Sequence, residues 1–317
     1  MNNYYKPLKI IFAGTPNFSA YHLKYLISSH HTILSILIQP DRPNQRNKKI
    51  VPSPVRQIAQ YYKIPIIQVE NFNNEKKIKK ILPKTADVII IVAFGIILPK
   101  FLLNLFPMGC INIHASLLPR WRGSSPIQQA ILNNDKITGI TAIKINQKID
   151  SGIILYQIPY IIDPKETTIT LTNKLCIIGI KVLFQTLIKI QKEKYTSIKQ
   201  NPLKITYAKK LKNNIGKINF HFHAKKIENM IRALNPWPGI YIILDNVRIK
   251  LHQVEVIQSN KKWSIGEVVL INSNGIFIQT KKNILKIKKL QIPGKKILNI
   301  SEFINSKQKF FINKKIL

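Results

Sequence analysis

Cysteine is nearly absent from this chain. Two residues in 317, Cys110 and Cys176, cannot build a disulfide framework, and no CxxC pair or Cys/His cluster suggests zinc, so no metal is expected. A reduced, intracellular setting follows. Acidic residues are scarce as well, with 14 Asp+Glu against 50 Lys+Arg and a formal charge of +36. Long hydrophobic runs are also missing. The most apolar stretch, Val88 to Leu98, is about half the ~20 residues that span a bilayer. The N-terminal MNNYYKPLKI lacks the apolar core and small-residue cleavage site of a secretory signal. These absences argue against a disulfide-rich secreted module and a membrane protein, and the expectation is a soluble, cytoplasmic protein.

The 45% hydrophobic content is a globular share and excludes wholesale disorder. The length suits one large domain or two ordinary ones. The basic excess has two explanations. Roughly a fifth of the residues are Ile, only seven are Arg, and Ile, Lys and Asn share AT-rich codons. Compositional drift and a polyanionic partner therefore both remain open. Residues 1–208 carry 28 basic and 9 acidic side chains, and 209–317 carry 22 and 5, so the last third has nearly twice the charge density.

Short apolar runs alternate with helical stretches through the first half. LKIIFAG ends at Gly14-Thr15-Pro16, and Phe18 to Ile27 reads helical. HTILSILIQP, IPIIQV, DVIIIVAF and GCINIHAS read as four further strands, with VRQIAQYYK, NNEKKIKKIL and a short segment near Pro99 to Leu105 as helices. Strands apolar on both faces and separated by helices indicate an open, mostly parallel, doubly wound sheet. Such a sheet places its site at the carboxyl ends of its strands, here the loops after Phe12, Gln39, Phe94 and Ile113.

After about residue 160 the pattern changes. Thr167 to Gln191 reads as one or two helices, and a polar connector follows. Lys225 to Leu234 reads as a helix ended by Asn235-Pro236-Trp237-Pro238. Short strands with turn signals at Asp245-Asn246 and Asn274-Gly275 then suggest a small antiparallel barrel or sandwich. The expected division is a catalytic domain over 1–190, a linker over 191–208 and a C-terminal domain over 209–317.

The densest polar cluster runs from Asn112 to Pro126, NIHASLLPRWRGSSP. Asn112 and His114 alternate and so share one side of a strand end. An amide can donate to a developing oxyanion while an imidazole moves a proton, which suits acyl transfer. A capped strand end with a satisfied His is the alternative. Asp150, before Ser151-Gly152, could orient or charge-stabilise His114, or simply form an Asx-turn. Ser116 lacks the strand–turn–helix setting of a nucleophile elbow and is rejected as a nucleophile. Gly14-Thr15-Pro16 is neither GxGxxG nor a P-loop. Arg42, Arg46, Lys48 and Lys49 could meet phosphates at the same sheet edge, or form a solvated basic loop.

FAGTPNF, QPDRPNQRNKKIVPSPV, VAFGIILP, GCINIHASLLPRWRGSSPIQ, KIDSG, TYAKKL and IRALNPWPG occur in this order. Together they closely resemble the methionyl-tRNA formyltransferase family, over about Leu8 to Leu298. The resemblance implies a Rossmann-like formyltransferase domain followed by an OB-like β-barrel domain. It implies catalysis by Asn112, His114 and Asp150, and a folate pocket lined by Ser116, Leu117, Leu118 and Pro119. The expected formyl donor is 10-formyltetrahydrofolate and the acceptor methionyl initiator tRNA, met by Arg42, Arg46, Lys48 and Lys49. A monomer without membrane contact is expected. Lys148 stands where the family pattern has a customary Gly, and Phe94 where Tyr is commoner.

Overall fold

The computed structural model describes residues 6–41, 50–192 and 197–307, with side chains of the last helix to residue 304. By compactness the chain divides into two units. One comprises residues 1–126, 137–161 and 171–209; the other comprises 127–136, 162–170 and 210–317.

The first unit is built on a seven-stranded sheet. Its core strand is β1 (Lys9–Gly14), in which Ile10 to Ala13 are fully buried. A strand apolar on both faces needs covering on both, and helices supply it. The chain continues through α1 (Asn17–Ile27), β2 (Thr32–Ile38), α2 (Pro54–Tyr61), β3 (Ile66–Gln68), α3 (Glu75–Ile81), β4 (Val88–Val92), α4 (Lys100–Leu103) and β5 (Cys110–His114). Two-residue β6 (Arg122–Gly123), α5 (Pro126–Leu132, which from residue 127 belongs to the second unit), β7 (Ile137–Lys144), β8 (Ile153–Ile161) and α6 (Thr168–Gln191) follow. The strand order is β3-β2-β1-β4-β5-β7-β8. Strands β1 to β5 pair parallel, whereas β7 runs antiparallel to β5 and β8 to β7.

The chain thus starts mid-sheet, winds to one edge, and returns on the other side of β1 at β4. That reversal is the topological switch point. Gly14 sits there, and a Cβ on it would come within 2.6 Å of Ser19 Cβ and 2.7 Å of the Val92 carbonyl oxygen. Only glycine lets strand and helix approach so closely. The Ser19 hydroxyl donates to that same carbonyl. Helix α6 is long and apolar enough to cross a bilayer by length and composition. Leu171, Leu175, Gly179, Val182, Thr186 and Ile190 are buried at three- to four-residue spacing, the pattern of a helix with one core-facing side.

Two-residue β9 (Tyr207–Ala208) pairs in parallel with β6, still within the first unit. The second unit then carries α7 (Ala224–Leu234), β10 (Ile240–Leu244), β11 (Val247–Ile257), β12 (Val268–Asn272), β13 (Gly275–Gln279), β14 (Ile284–Gln291), β15 (Leu298–Asn299) and α8 (Ile300–Lys307). The sheet is antiparallel, in order β10-β11-β14-β13-β12, with β15 beside β14. The small antiparallel domain is as expected, but among the described residues no pairing joins β10 to β12, so the expected barrel does not close. Strand β10 pairs with β11 and β12 with β13, and among the described residues neither end strand pairs with the other. Asp245 and Asn246, both with positive φ, make the expected two-residue hairpin. The second hairpin turns one residue earlier than expected, at Ser273-Asn274, because Gly275 already pairs with Asn272. Helix α7 buries Ala224, Ile227, Ile231 and Leu234 and ends before Pro236 as expected.

Candidate active site

Strand β5 carries Asn112 and His114 to the carboxyl edge of the sheet. Asn112 is partly buried and lies beside Ile91 of β4, and His114 is 6% exposed. Asp150 arrives from the turn between β7 and β8. Strand β7 pairs antiparallel with β5 through His114–Thr141 and Asn112–Ile143, and the turn that follows it brings the Asp150 carboxylate to the Asn112 and His114 side chains. Two features shape the turn. Gly152 has no space for a Cβ, which would sit 1.8 Å from the Lys144 carbonyl oxygen. Asp150 itself has φ +46°, a left-handed conformation rare for a residue with a side chain.

Three groups converge on the Asp150 carboxylate. Asn112 Nδ2 donates to Oδ1 at 3.1 Å, and the Gly123 N–H donates to Oδ2 at 2.8 Å. His114 Nδ1 lies 3.6 Å from Oδ2. The other ring nitrogen of His114, Nε2, is 2.9 Å from the Trp121 carbonyl oxygen. A carbonyl can only accept, so this contact assigns the hydrogen to Nε2 and turns Nδ1 toward the carboxylate. The structure thus brings Asn112, His114 and Asp150 together. The Asp150 carboxylate makes no local Asx-turn; Asn146 does that, accepting from Lys148 N at 3.1 Å.

Of Ser116 to Pro119, two side chains are buried and two are partly exposed. Ser116 is fully buried, its hydroxyl donating to the Arg120 carbonyl oxygen at 2.6 Å and its own carbonyl accepting from Thr141 at 2.6 Å. Leu118 is 4% exposed and packs with Ile143 and Ile154. Its N–H donates to Thr141, and Gln157 donates to its carbonyl oxygen. Leu117 and Pro119 are partly exposed. A cavity of about 800 Å³ at the carboxyl ends of β2, β3 and β4 is lined by other residues, among them Gln39, Asn71, Phe72, Gly95, Ile96 and Ile97. Sequence reading marked the loops after Gln39 and Phe94 by topology but not the segment from Glu70 to Asn73. Arg42, Arg46, Lys48 and Lys49 lie outside the described residues.

Two further residues of the cluster were not singled out from the sequence, although the second opens the TYAKKL run. Gln200, in the segment between α6 and β9, donates to the carbonyl oxygens of Asp150 and Gly152. Thr206 accepts from the Trp121 N–H at 2.9 Å.

The formyl transferase family profile matches residues 6–187, and the formyl transferase C-terminal domain matches 210–308. A curated methionyl-tRNA formyltransferase of Buchnera aphidicola subsp. Acyrthosiphon pisum is 47% identical over 96% of this chain and 98% of its own. One from Buchnera aphidicola subsp. Baizongia pistaciae is 45% identical over 96% of this chain and 95% of its own. Among solved structures, the sugar 3N-formyltransferase WlaRD superposes with TM-score 0.64 at 22% identity, over 92% of this chain and all of that one. An N-formyltransferase from Helicobacter canadensis gives 0.65 at 20% identity, over 88% and 99%. With profiles over both halves and relatives of this identity along nearly the whole length, the chain belongs to the methionyl-tRNA formyltransferase family.

Proposed function

We propose that this chain transfers the formyl group of 10-formyltetrahydrofolate to the α-amino group of methionine carried by initiator tRNA, for translation initiation. The observation that carries the assignment is the convergence of Asn112, His114 and the Gly123 N–H on Asp150 at the end of β5. The co-substrate supplies an activated formyl carbon. The neutral amine forms a new C–N bond there, the C–N10 bond breaks, and one proton passes from the amine to N10. The second Nδ2 hydrogen of Asn112 stabilises the negative charge that develops on the formyl oxygen. His114, whose Nδ1 is the ring nitrogen left free to accept, takes up the proton that the amine loses and as an imidazolium stabilises that charge further. Asp150 orients both groups, and with His114 relays the proton through water. The reaction as written forms no covalent link to the enzyme.

The cavity at Gln39, Phe72, Ile96 and Ile97 suits the formyl donor: apolar side chains face a flat aromatic ring system, and Gln39, Asn71 and Asn73 offer groups for its polar edge. Ser116 to Pro119 act beside it, chiefly by holding the loop after β5. We assign catalysis to residues 1–190, a connector to 191–208 and tRNA docking to 209–317, where the net charge is +17. A cavity of about 420 Å³ in the second unit, with Lys225, Lys226 and Lys281 on its wall, supports an anionic partner. Arg42, Arg46, Lys48 and Lys49 complete the tRNA contact. The enzyme acts as a cytoplasmic monomer.

The test is incubation with the formyl donor and either methionyl-initiator tRNA or small free amines. Formylation confined to the tRNA supports the assignment; formylation of a small amine, or none, removes it. Affinity for tRNA should fall steeply with salt. Arg42→Lys should slow formylation far more than Arg46→Lys, because a guanidinium offers paired donors where an ammonium offers a point charge.

A further inference from the structure

We infer that Gln200 is a positioning residue for Asp150, an inference that rests on the formyl-transfer reading above. The two ends of its amide are divided between different partners. Nε2 donates to the carbonyl oxygens of Asp150 and Gly152, each at 2.8 Å. Oε1 accepts from the Arg122 guanidinium, from Nε at 3.0 Å and Nη2 at 2.8 Å. Arg122 is 7% exposed and precedes Gly123, whose N–H donates to Asp150 Oδ2. The catalytic carboxylate is therefore held twice, by its main chain through Gln200 and by its side chain through the residue after Gln200's own partner. Arg122 and Gly123 are in turn paired with Tyr207 and Ala208, a few residues beyond Gln200 on the same segment.

The residue type follows from the chemistry. Two carbonyl oxygens need two donors, and a buried guanidinium needs an acceptor. A carboxamide long enough to span them meets both demands and adds no charge beside Asp150. A Glu here would serve Arg122 but set an oxygen against the two carbonyls. A Lys would serve the carbonyls but set a cation against Arg122. The grip falls on the residue whose backbone is left-handed at φ +46°, a conformation that persists where the surroundings over-determine it. Release of the two carbonyls lets the turn relax and carries the carboxylate away from Asn112 and His114. Misplacement of a reacting group by about 1 Å costs on the order of 100-fold.

The test uses the full-length chain carrying Gln200→Glu, which keeps size and the Arg122 partner, or Gln200→Met, which keeps size alone. Formylation of methionyl-tRNA should show kcat lowered about 10- to 100-fold in both variants. KM for the formyl donor and for the tRNA should stay within about twofold. Tm should fall more in Gln200→Met, which leaves Arg122 without its acceptor, than in Gln200→Glu. The split between kcat and KM separates positioning from a tether that merely holds the segment down. Turnover within twofold of wild type in either folded variant overturns the inference, as does a rise in KM that matches the loss of kcat. Failure of both variants to fold overturns it too, since Gln200 would then be a determinant of folding. A wild-type chain that does not formylate methionyl-tRNA removes the reading beneath it; an active wild type with unaffected variants removes only the role of Gln200.

Discussion

His114 and His22 are both buried, and each gives one ring N–H to a main-chain carbonyl, of Trp121 and Phe18 respectively. The difference lies at the other nitrogen. His114 Nδ1 faces the Asp150 carboxylate at 3.6 Å. His22 Nε2 has no hydrogen-bond partner among the described residues and abuts Gly179 of α6. A second proton on His114 would meet an anion; on His22 it would meet the interior of the protein. Burial accordingly holds His22 neutral, with its pKa pushed down to about 4. On the proposed mechanism, what the second nitrogen faces separates the reacting histidine from the packing one.

The largest effect should come from breaking the His114 side of this comparison. His114→Ala or Asp150→Asn should cut formylation by at least ~100-fold with tRNA affinity little changed. Retention of activity within threefold would remove that residue from the mechanism.

The His22 side should be visible in the pH dependence of stability. His31 resembles His22: burial, then the neighbouring His30, lowers its pKa to about 4, and its Nδ1 accepts the Leu8 N–H at 3.2 Å. In both, the folded value lies below the ordinary 6.5, so the unfolded chain binds protons first. Their contribution is full above about pH 6.5, is lost as pH falls toward 4, and levels off below. For fully buried His22 the loss is on the order of 3 kcal/mol. Denaturant titrations at several pH values should show it, and His22→Gln should reduce the slope; an equal slope would mean that other groups drive acid unfolding.

A smaller effect is expected from Gly179→Ala, whose Cβ would lie 2.2 Å from His22 Nε2. Overpacking of this kind costs about 1–3 kcal/mol. Thermal melting should show a lower Tm, with turnover per folded molecule unchanged. The smallest effect concerns the thiols. Burial pushes Cys110 up to about 12, against the pull of Lys144, and Cys176 up to about 11. Alkylating reagent at pH 8 should leave both unmodified in the folded protein and activity intact; rapid labelling of either would contradict its burial.

Much of the first unit is written in short-range pattern. The apolar runs of β1, β2 and β4 announce buried parallel strands, and the alternation of Asn112 and His114 announces a shared face. Strands β7 and β8 escaped such reading because Gly139 interrupts one and Pro159 the other. Pro159 is tolerated because β8 is the last strand in the sheet order, and among the described residues its outer edge is bridged at Ile154, by Ile198, and not at Pro159. Asp150 could be noticed as a rare acid in a loop, but its meeting with Asn112 depends on a β5–β7 pairing that no local pattern encodes. Gln200 is further out of reach: it acts 50 residues from Asp150, within a polar stretch that resembles any connector. Barrel closure was equally hidden, since strand number does not report whether the last strand reaches the first.

The interleaving of the two units has a bearing on how the chain is made. Residues 162–170 belong to the second unit, yet Glu166 receives Arg232 at its carbonyl oxygen and Thr168 donates to that of Ala233. A ribosome delivers one side of these bonds 65 or 66 residues before the other. At ~5–20 residues per second, that is a wait of roughly 3 to 13 seconds. During that interval the early segment must be shielded by other means, and a ribosome stalled there would expose a nascent chain suited to chaperone capture.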